Sequence, residues 1–183
     1  LSVRVGRLVD QASDAGLEDN NTRFGQSVSL IVGTSAQVAG VAWGADGALS
    51  GQFGSLAVDA DAGALFYAGG TLGLSSQGHL ALSTAAVQAT GHVTLGSSQG
   101  QISTEQGDEQ GIQSTQGNVS LSAKQGMNLG GTLSSDQASV TLQADAAINV
   151  SGTVHAGTQL NVSDLQGGGT QDLNNTGTLL ADG

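Results

Sequence analysis

A unit of about twenty residues recurs along this chain. Val119-Ser-Leu121 opens one copy, Val140-Thr-Leu142 the next and Leu160-Asn-Val162 a third. Each opening is followed by a second apolar pair, Met127 with Leu129 and Ile148 with Val150. A Gly-Thr-apolar element closes the copies at Gly131-Thr132-Leu133, Gly152-Thr153-Val154 and, after an insertion, Gly177-Thr178-Leu179. A unit this short cannot bury a core alone, so it implies a solenoid whose copies stack as successive coils.

Apolar and small polar residues alternate over Ser27–Ile31, Leu56–Asp59, His79–Thr84, His92–Leu95, Asn118–Ala123, Ser139–Ala144 and Leu160–Ser163. A period of two marks strands with one buried face. Helical spacing is nowhere sustained; Ala85–Ala89 is the one stretch that also suits a helical turn. Composition fits a slim coil of strands. The 183 residues include 30 glycines, no proline and five aromatics, all before residue 68. Without large rings the core must be narrow and aliphatic. Proline would remove a ladder hydrogen bond at almost any strand position, and there is none. The regular alternation argues against disorder.

Aligned on their opening strands, seven coils are predicted to begin at Val28, Leu56, Leu80, Ile102, Val119, Val140 and Leu160. The Gly element then recurs at Gly40-Val41, Gly70-Thr71-Leu72, Gly91-His92-Val93, Gly111-Ile112, Gly131, Gly152 and Gly177. Trp43–Phe53 is expected as a loop, and Gln166–Thr170 as an enlarged bend of the last coil. Residues 1–25 fit the repeat poorly and are assigned to a first coil or a linker; residues 26–183 are the repeat segment proper. The chain begins mid-pattern without Met and is expected to be a piece of a longer protein.

Charge is sparse and one-sided, with a formal net charge of −11. Arg4, Arg7 and Arg23 lie at the start, and Lys124 is the only basic residue after them. Such a chain lacks the basic face that phosphates require, so a nucleic-acid partner is not expected, nor is attachment to anionic lipid. No run approaches the length of a membrane helix, and a membrane-embedded chain is not expected. There is no cysteine, hence no disulfide or thiolate site.

The final coil carries Leu173-Asn174-Asn175-Thr176-Gly177-Thr178-Leu179-Leu180-Ala181. This string resembles the Leu-Asn-Asn-x-Gly-x-Leu-x-Ala core of filamentous-haemagglutinin repeats, found in exoproteins of bacterial two-partner secretion. Asn149–Ala156 and Asn128–Ser134 are looser versions. The resemblance implies an all-β fold, a single-stranded right-handed parallel β-helix. It implies export through an outer-membrane two-partner secretion transporter, and display on or release from a Gram-negative cell. It further implies virulence-associated adhesion, with a host-cell receptor, a glycan or a biofilm polysaccharide as partner. The family's secretion domain carries Asn-Pro-Asn-Leu; with no proline, this chain lacks that motif.

No catalytic, cofactor or metal residues are assigned. His79, His92 and His155 have no metal-ligand spacing and are expected at exposed strand edges. Asp59 with Asp61, and Asp108 with Glu109, offer paired carboxylates of the sort glycosidases use. No basic residue accompanies either pair to complete an acid–base–stabiliser set. Calcium loops and phosphate loops are absent by motif. The aromatic group Trp43, Phe53, Phe66 and Tyr67 has two readings: filler of a wider early coil, or a patch on which a ligand ring stacks. The function expected is that of a non-catalytic shaft or adhesive segment of a secreted or cell-surface adhesin. The alternatives are the stalk of a contact-dependent growth inhibition toxin and, third, a polysaccharide-active β-helix enzyme.

Overall fold

The computed structural model describes residues 2–5, 8–11, 21–24, 26–104, 111–166 and 172–183. Their regular structure is entirely β, and every strand pairing is parallel. The chain is a β-solenoid. Strands β1 (Ser2–Val5), β2 (Leu8–Gln11) and β3 (Asn21–Phe24) pair with the coil formed by β4 (Val28–Ala39) and β5 (Val41–Ala45). The next coil holds β6 (Leu49–Val58) and β7 (Ala64–Ala68).

From there each coil has three strands. They are β8 (Leu72–Ser76), β9 (Leu80–Ala81) and β10 (Ala85–Ala89), then β11 (Val93–Ser97), β12 (Ile102–Thr104) and β13 (Gly111–Ser114). The fifth coil from Val28 has β14 (Val119–Ala123), β15 (Met127–Leu129) and β16 (Thr132–Ser135). The sixth has β17 (Val140–Ala144), β18 (Ile148–Val150) and β19 (Thr153–Ala156), and the last β20 (Leu160–Ser163), β21 (Leu173–Asn175) and β22 (Thr178–Ala181). Stacked at the ordinary strand spacing of roughly 4.8 Å, these coils make a rod of about 34 Å.

Among the described residues fourteen strands form one sheet and eight the other. The larger sheet holds two strands per coil and the smaller one holds the third. In the early coils the first two strands are fused: β8 and β9 both pair with β6, one on each half of it. Between Val32 and Ser35, β4 carries one extra residue against β6, a bulge that bends this long strand.

The pairing corrects the alignment predicted above. Leu56, Leu80 and Ile102 stack over Met127 and Ile148, so they belong to the second strand of their coils. The openings are Val28, Leu49, Leu72, Val93, Val119, Val140 and Leu160, with steps of 21, 23, 21, 26, 21 and 20 residues. Gly70-Thr71-Leu72 and Gly91-His92-Val93 accordingly enter the larger sheet, whereas Gly131, Gly152 and Gly177 lead into the smaller one. One further expectation fails: Trp43–Phe53 is mostly strand on either side of a bend at 46–48. Ala85–Ala89, which also suits a helical turn, is a strand. Of Gln166–Thr170, residues 167–170 lie outside the described residues, between β20 and β21.

Inside, like stacks on like. Leu72, Val93, Val119 and Val140 form one column, Leu74, Leu95, Leu121 and Leu142 another, and all eight are buried. Leu80, Ile102, Met127 and Ile148 form a third on the second strand. Each such side chain contributes roughly 1.5–3 kcal/mol by leaving water.

Buried serines tie the bends to one another. Ser114 Oγ donates to the Gly91 carbonyl at 2.7 Å and accepts the Gly117 N–H at 2.8 Å. Ser135 Oγ then donates to the Gly117 carbonyl at 2.8 Å, and Ser97 repeats the motif on Gly78 and Gly100. Every buried side-chain polar atom among the described residues has a partner, as a narrow core requires.

Candidate functional site

The alternation of β7 separates the four aromatic candidates. Phe66 faces inward and is wholly buried, and Phe53 is buried on the opposite sheet. Trp43 stacks in register on Phe66, edge to face, with ring centroids 5.4 Å apart and planes at 74°. It is partly buried and packs on the core. Tyr67 is the neighbour of Phe66 in the chain, so it points the other way, onto the outer face of the smaller sheet. The four therefore do not form one exposed patch. Phe53 and Phe66 are core filler and offer no face to a ligand, which corrects the stacking-patch expectation for these two.

Gly51 shows how the larger rings are fitted. It occupies the column in which later coils place Leu74, Leu95, Leu121 and Leu142. A Cβ there would lie 2.6 Å from Phe53 Cε2. Phe53 in turn occupies the column of Ser76, Ser97, Ala123 and Ala144. One large and one missing side chain replace the leucine and small residue of the other coils, filling a similar volume.

On the smaller sheet the outward column through Tyr67 continues as Gln88, Gln113, Ser134, His155 and Leu180. Beside it runs Leu65, Ala86, Gly111, Thr132, Thr153 and Thr178. Where small Gly111 meets the longer glutamines the face dips into a shallow groove of about 150 Å³, lined by Gln88, Gly111, Ile112, Gln113, Thr132 and Ser134. Gln113 Nε2 donates to Asp136 at 3.0 Å, which fixes one wall. The groove presents amide and hydroxyl groups that can donate and accept hydrogen bonds. No sequence motif announces it; its one signal was the recurrence of Gln and Thr at outward positions of the third strand.

The titratable candidates have structural partners. His92 Nδ1 accepts the Asn118 N–H of the next coil at 2.9 Å, and His79 Nδ1 accepts that of Gln101 at 3.3 Å. His155 Nε2 lies 3.0 Å from Asp182 Oδ2. Asp59 follows the last residue of β6 and its Oδ1 accepts the N–H groups of Asp61 at 2.9 Å and Ala62 at 3.3 Å. It closes a turn with that oxygen, so Asp59 and Asp61 lie in a turn and not on one face of a strand. Asp108 and Glu109 lie outside the described residues. Lys124 pairs with Asp145 one coil on, and this bond holds the Asp145 carboxyl below its usual range. Among the described residues no three His, Cys, Asp or Glu side chains gather as a metal site, and no helix is long and apolar enough to cross a membrane.

A second outward feature escaped the sequence reading. Asn128, Asn149 and Asn174 stack in register on β15, β18 and β21. Asn149 Nδ2 donates to Asn128 Oδ1 at 2.8 Å, and Asn174 Nδ2 to Asn149 Oδ1 at 2.9 Å. The recurrence of Asn after an apolar residue in the second strand was its signal. Comparison with family models, curated proteins and solved structures returned no match.

Proposed function

We propose that this chain is a shaft with an adhesive face, a non-catalytic segment of a secreted or cell-surface adhesin that attaches its cell to host tissue or biofilm matrix. The reading rests on one observation above others: the coils stack in register along the whole described chain, while the outward residues of the smaller sheet change from coil to coil. A scaffold held by repeated ladders leaves the outward positions free to vary without loss of stability. The resemblance of Leu173–Ala181 to haemagglutinin repeats supports the same reading. The groove at Gln88 and Gln113 and the ring of Tyr67 are the contact surface this proposal assigns.

The test is binding of the labelled, folded chain to epithelial cells and to a panel of neutral and acidic glycans. Saturable binding, weakened at least several-fold in Gln88→Ala and Tyr67→Ala, is the expected result. A folded chain that binds neither cells nor glycans would remove the adhesive half of the proposal and leave a shaft.

A further inference from the structure

The residue just before the first strand of a coil has a recurring duty. Ser27 Oγ accepts the Ala48 N–H at 3.1 Å, His92 Nδ1 that of Asn118 at 2.9 Å, and Asn118 Oδ1 that of Ser139 at 3.1 Å. Ser27, Ala48, His92, Asn118 and Ser139 each stand immediately before the opening residue of a coil. A side-chain acceptor on one coil thus closes onto the backbone of a neighbouring coil, one place outside the strand ladder. The bend before the second strand does the same once. His79 Nδ1 accepts the Gln101 N–H at 3.3 Å, and these two residues precede Leu80 and Ile102. Serine and asparagine oxygens accept at every ordinary pH. An imidazole nitrogen accepts only while it carries no proton. Both histidines are exposed, so protons from solvent reach them. Their bonds bracket one coil: His79 ties the coil at Leu72 to the coil at Val93, and His92 ties the coil at Val93 to the coil at Val119.

We propose that His79 and His92 form an acid-sensitive latch that holds the coil at Val93 to both of its neighbours. The neutral ring keeps its hydrogen on Nε2 and offers Nδ1 to the backbone N–H. Protonation places a hydrogen on Nδ1, which then faces another N–H. Turning the ring restores nothing, because both nitrogens now carry hydrogen. The two bonds are therefore made at neutral pH and lost on acidification, across the range of roughly pH 8 to 5 in which imidazoles take up a proton. Charged neighbours do not set this behaviour. The bends stacked directly on His92, 69–71 and 115–118, and those on His79, 54–55 and 98–101, hold no titratable or charged side chain. The first charged residues farther along these stacks, among the described residues, are Asp46 and Asp136, each two coils from His92, and Lys124, two coils from His79 and paired with Asp145. Where Ser27 and Asn118 make a permanent tie, the histidines make a conditional one.

Hydrogen exchange read amide by amide tests this on the whole chain at about pH 7.5 and about pH 5, values that span the imidazole range. After correction for the intrinsic pH dependence of exchange, protection of the Asn118 and Gln101 amides should fall about fivefold at the lower pH, the worth of one ordinary hydrogen bond. The Ala48 and Ser139 amides, held by Ser27 and Asn118, should keep theirs. The double variant His79→Asn/His92→Asn carries side chains that accept as Asn118 does and do not titrate, so all four amides should hold at both pH values. Its melting temperature should also fall less between the two pH values than that of the native chain. Lys124 with Asp145 and His155 with Asp182 are common to both proteins and cancel in that comparison. Unchanged protection of Asn118 and Gln101 at the lower pH, or an equal loss in the double variant, would overturn the latch.

Discussion

Gly51 and Phe53 are one packing unit divided between two positions. The Phe53 ring fills the space that a leucine takes in the coils at Leu121 and Leu142. Phe53→Ala should therefore leave a cavity and cost about 3–5 kcal/mol. Gly51→Leu should overpack the same space and cost about 1–3 kcal/mol. The double variant Gly51→Leu/Phe53→Ala recreates the Leu121/Ala123 pair of a later coil and should recover most of both losses. Denaturant melts of the four proteins give the coupling free energy, and simple additivity would sink the argument. Thr84 makes a second residue-scale case. It stacks on Gly63 and Gly40 and shares their left-handed backbone, with φ of 53° against 66° and 62°. For a β-branched residue this conformation is strained. Its hydroxyl lies 3.1 Å from the Ala60 carbonyl of the coil before. Thr84→Asn, which tolerates positive φ and keeps a donor, is expected to raise the melting temperature. Thr84→Val keeps the strain and loses the donor, and should lower stability by about 1 kcal/mol.

Elements in this fold are set by columns, so an element is legible in the sequence only as far as its column is. Alternation identified most strands of β14 to β22 by residue, because Val119, Val140 and Leu160 open nearly identical units. It misplaced Leu56, Leu80 and Ile102 because the bends before the first and second strands share a Gly-x-apolar form in these coils, as in Gly70-Thr71-Leu72 and Gly78-His79-Leu80. Neither bend has a chemical mark of its own, and only the strand partner tells them apart. The aromatic residues were legible as a group but not by direction, since Phe66 and Tyr67 differ by one place and hence by face. The groove at Gln88 and Gln113 has no motif, because it is made by three different coils. Columns also carry ion pairs between neighbouring coils, Lys124 with Asp145 among them. Lys124 holds the Asp145 carboxyl below its ordinary value of 3.8. A depressed acid contributes stability above its unfolded value, and that contribution disappears as pH falls through the depressed one. The difference in melting temperature between the native chain and Asp145→Asn should thus be constant above about pH 5 and shrink toward zero at lower pH. The pair is exposed, so high salt should shrink it as well. A difference that grew on acidification would contradict the assignment.

At the scale of the molecule, each coil meets only its two neighbours, so stability is close to a sum over coils and interfaces. A whole coil should then be removable and a half coil should not. Deleting residues 119–139 joins Asn118 to Val140 and replaces Val119, Leu121 and Ala123 with Val140, Leu142 and Ala144 beneath β11. Every inward column of the larger sheet's first strand is preserved in kind. Deleting only residues 119–128 would put Leu129 and Gly131 in the places of Val119 and Leu121 and the third-strand Leu133 in that of Ala123, and the two sheets would lose register together. The whole-coil deletion is expected to stay β-rich with a single cooperative melt at a lower temperature, and the half-coil deletion to aggregate or unfold. Two local readouts separate a true restacking from mere survival. Lys124 leaves with the deleted coil, so Asp145 should titrate at a higher pH than before. Asn128 leaves too, which frees the Asn149 amide from its upper neighbour. A deletion protein that melts cooperatively but keeps the acid behaviour of Asp145 would have refolded by some other register, and the one-coil repeat would then not be the unit of stability.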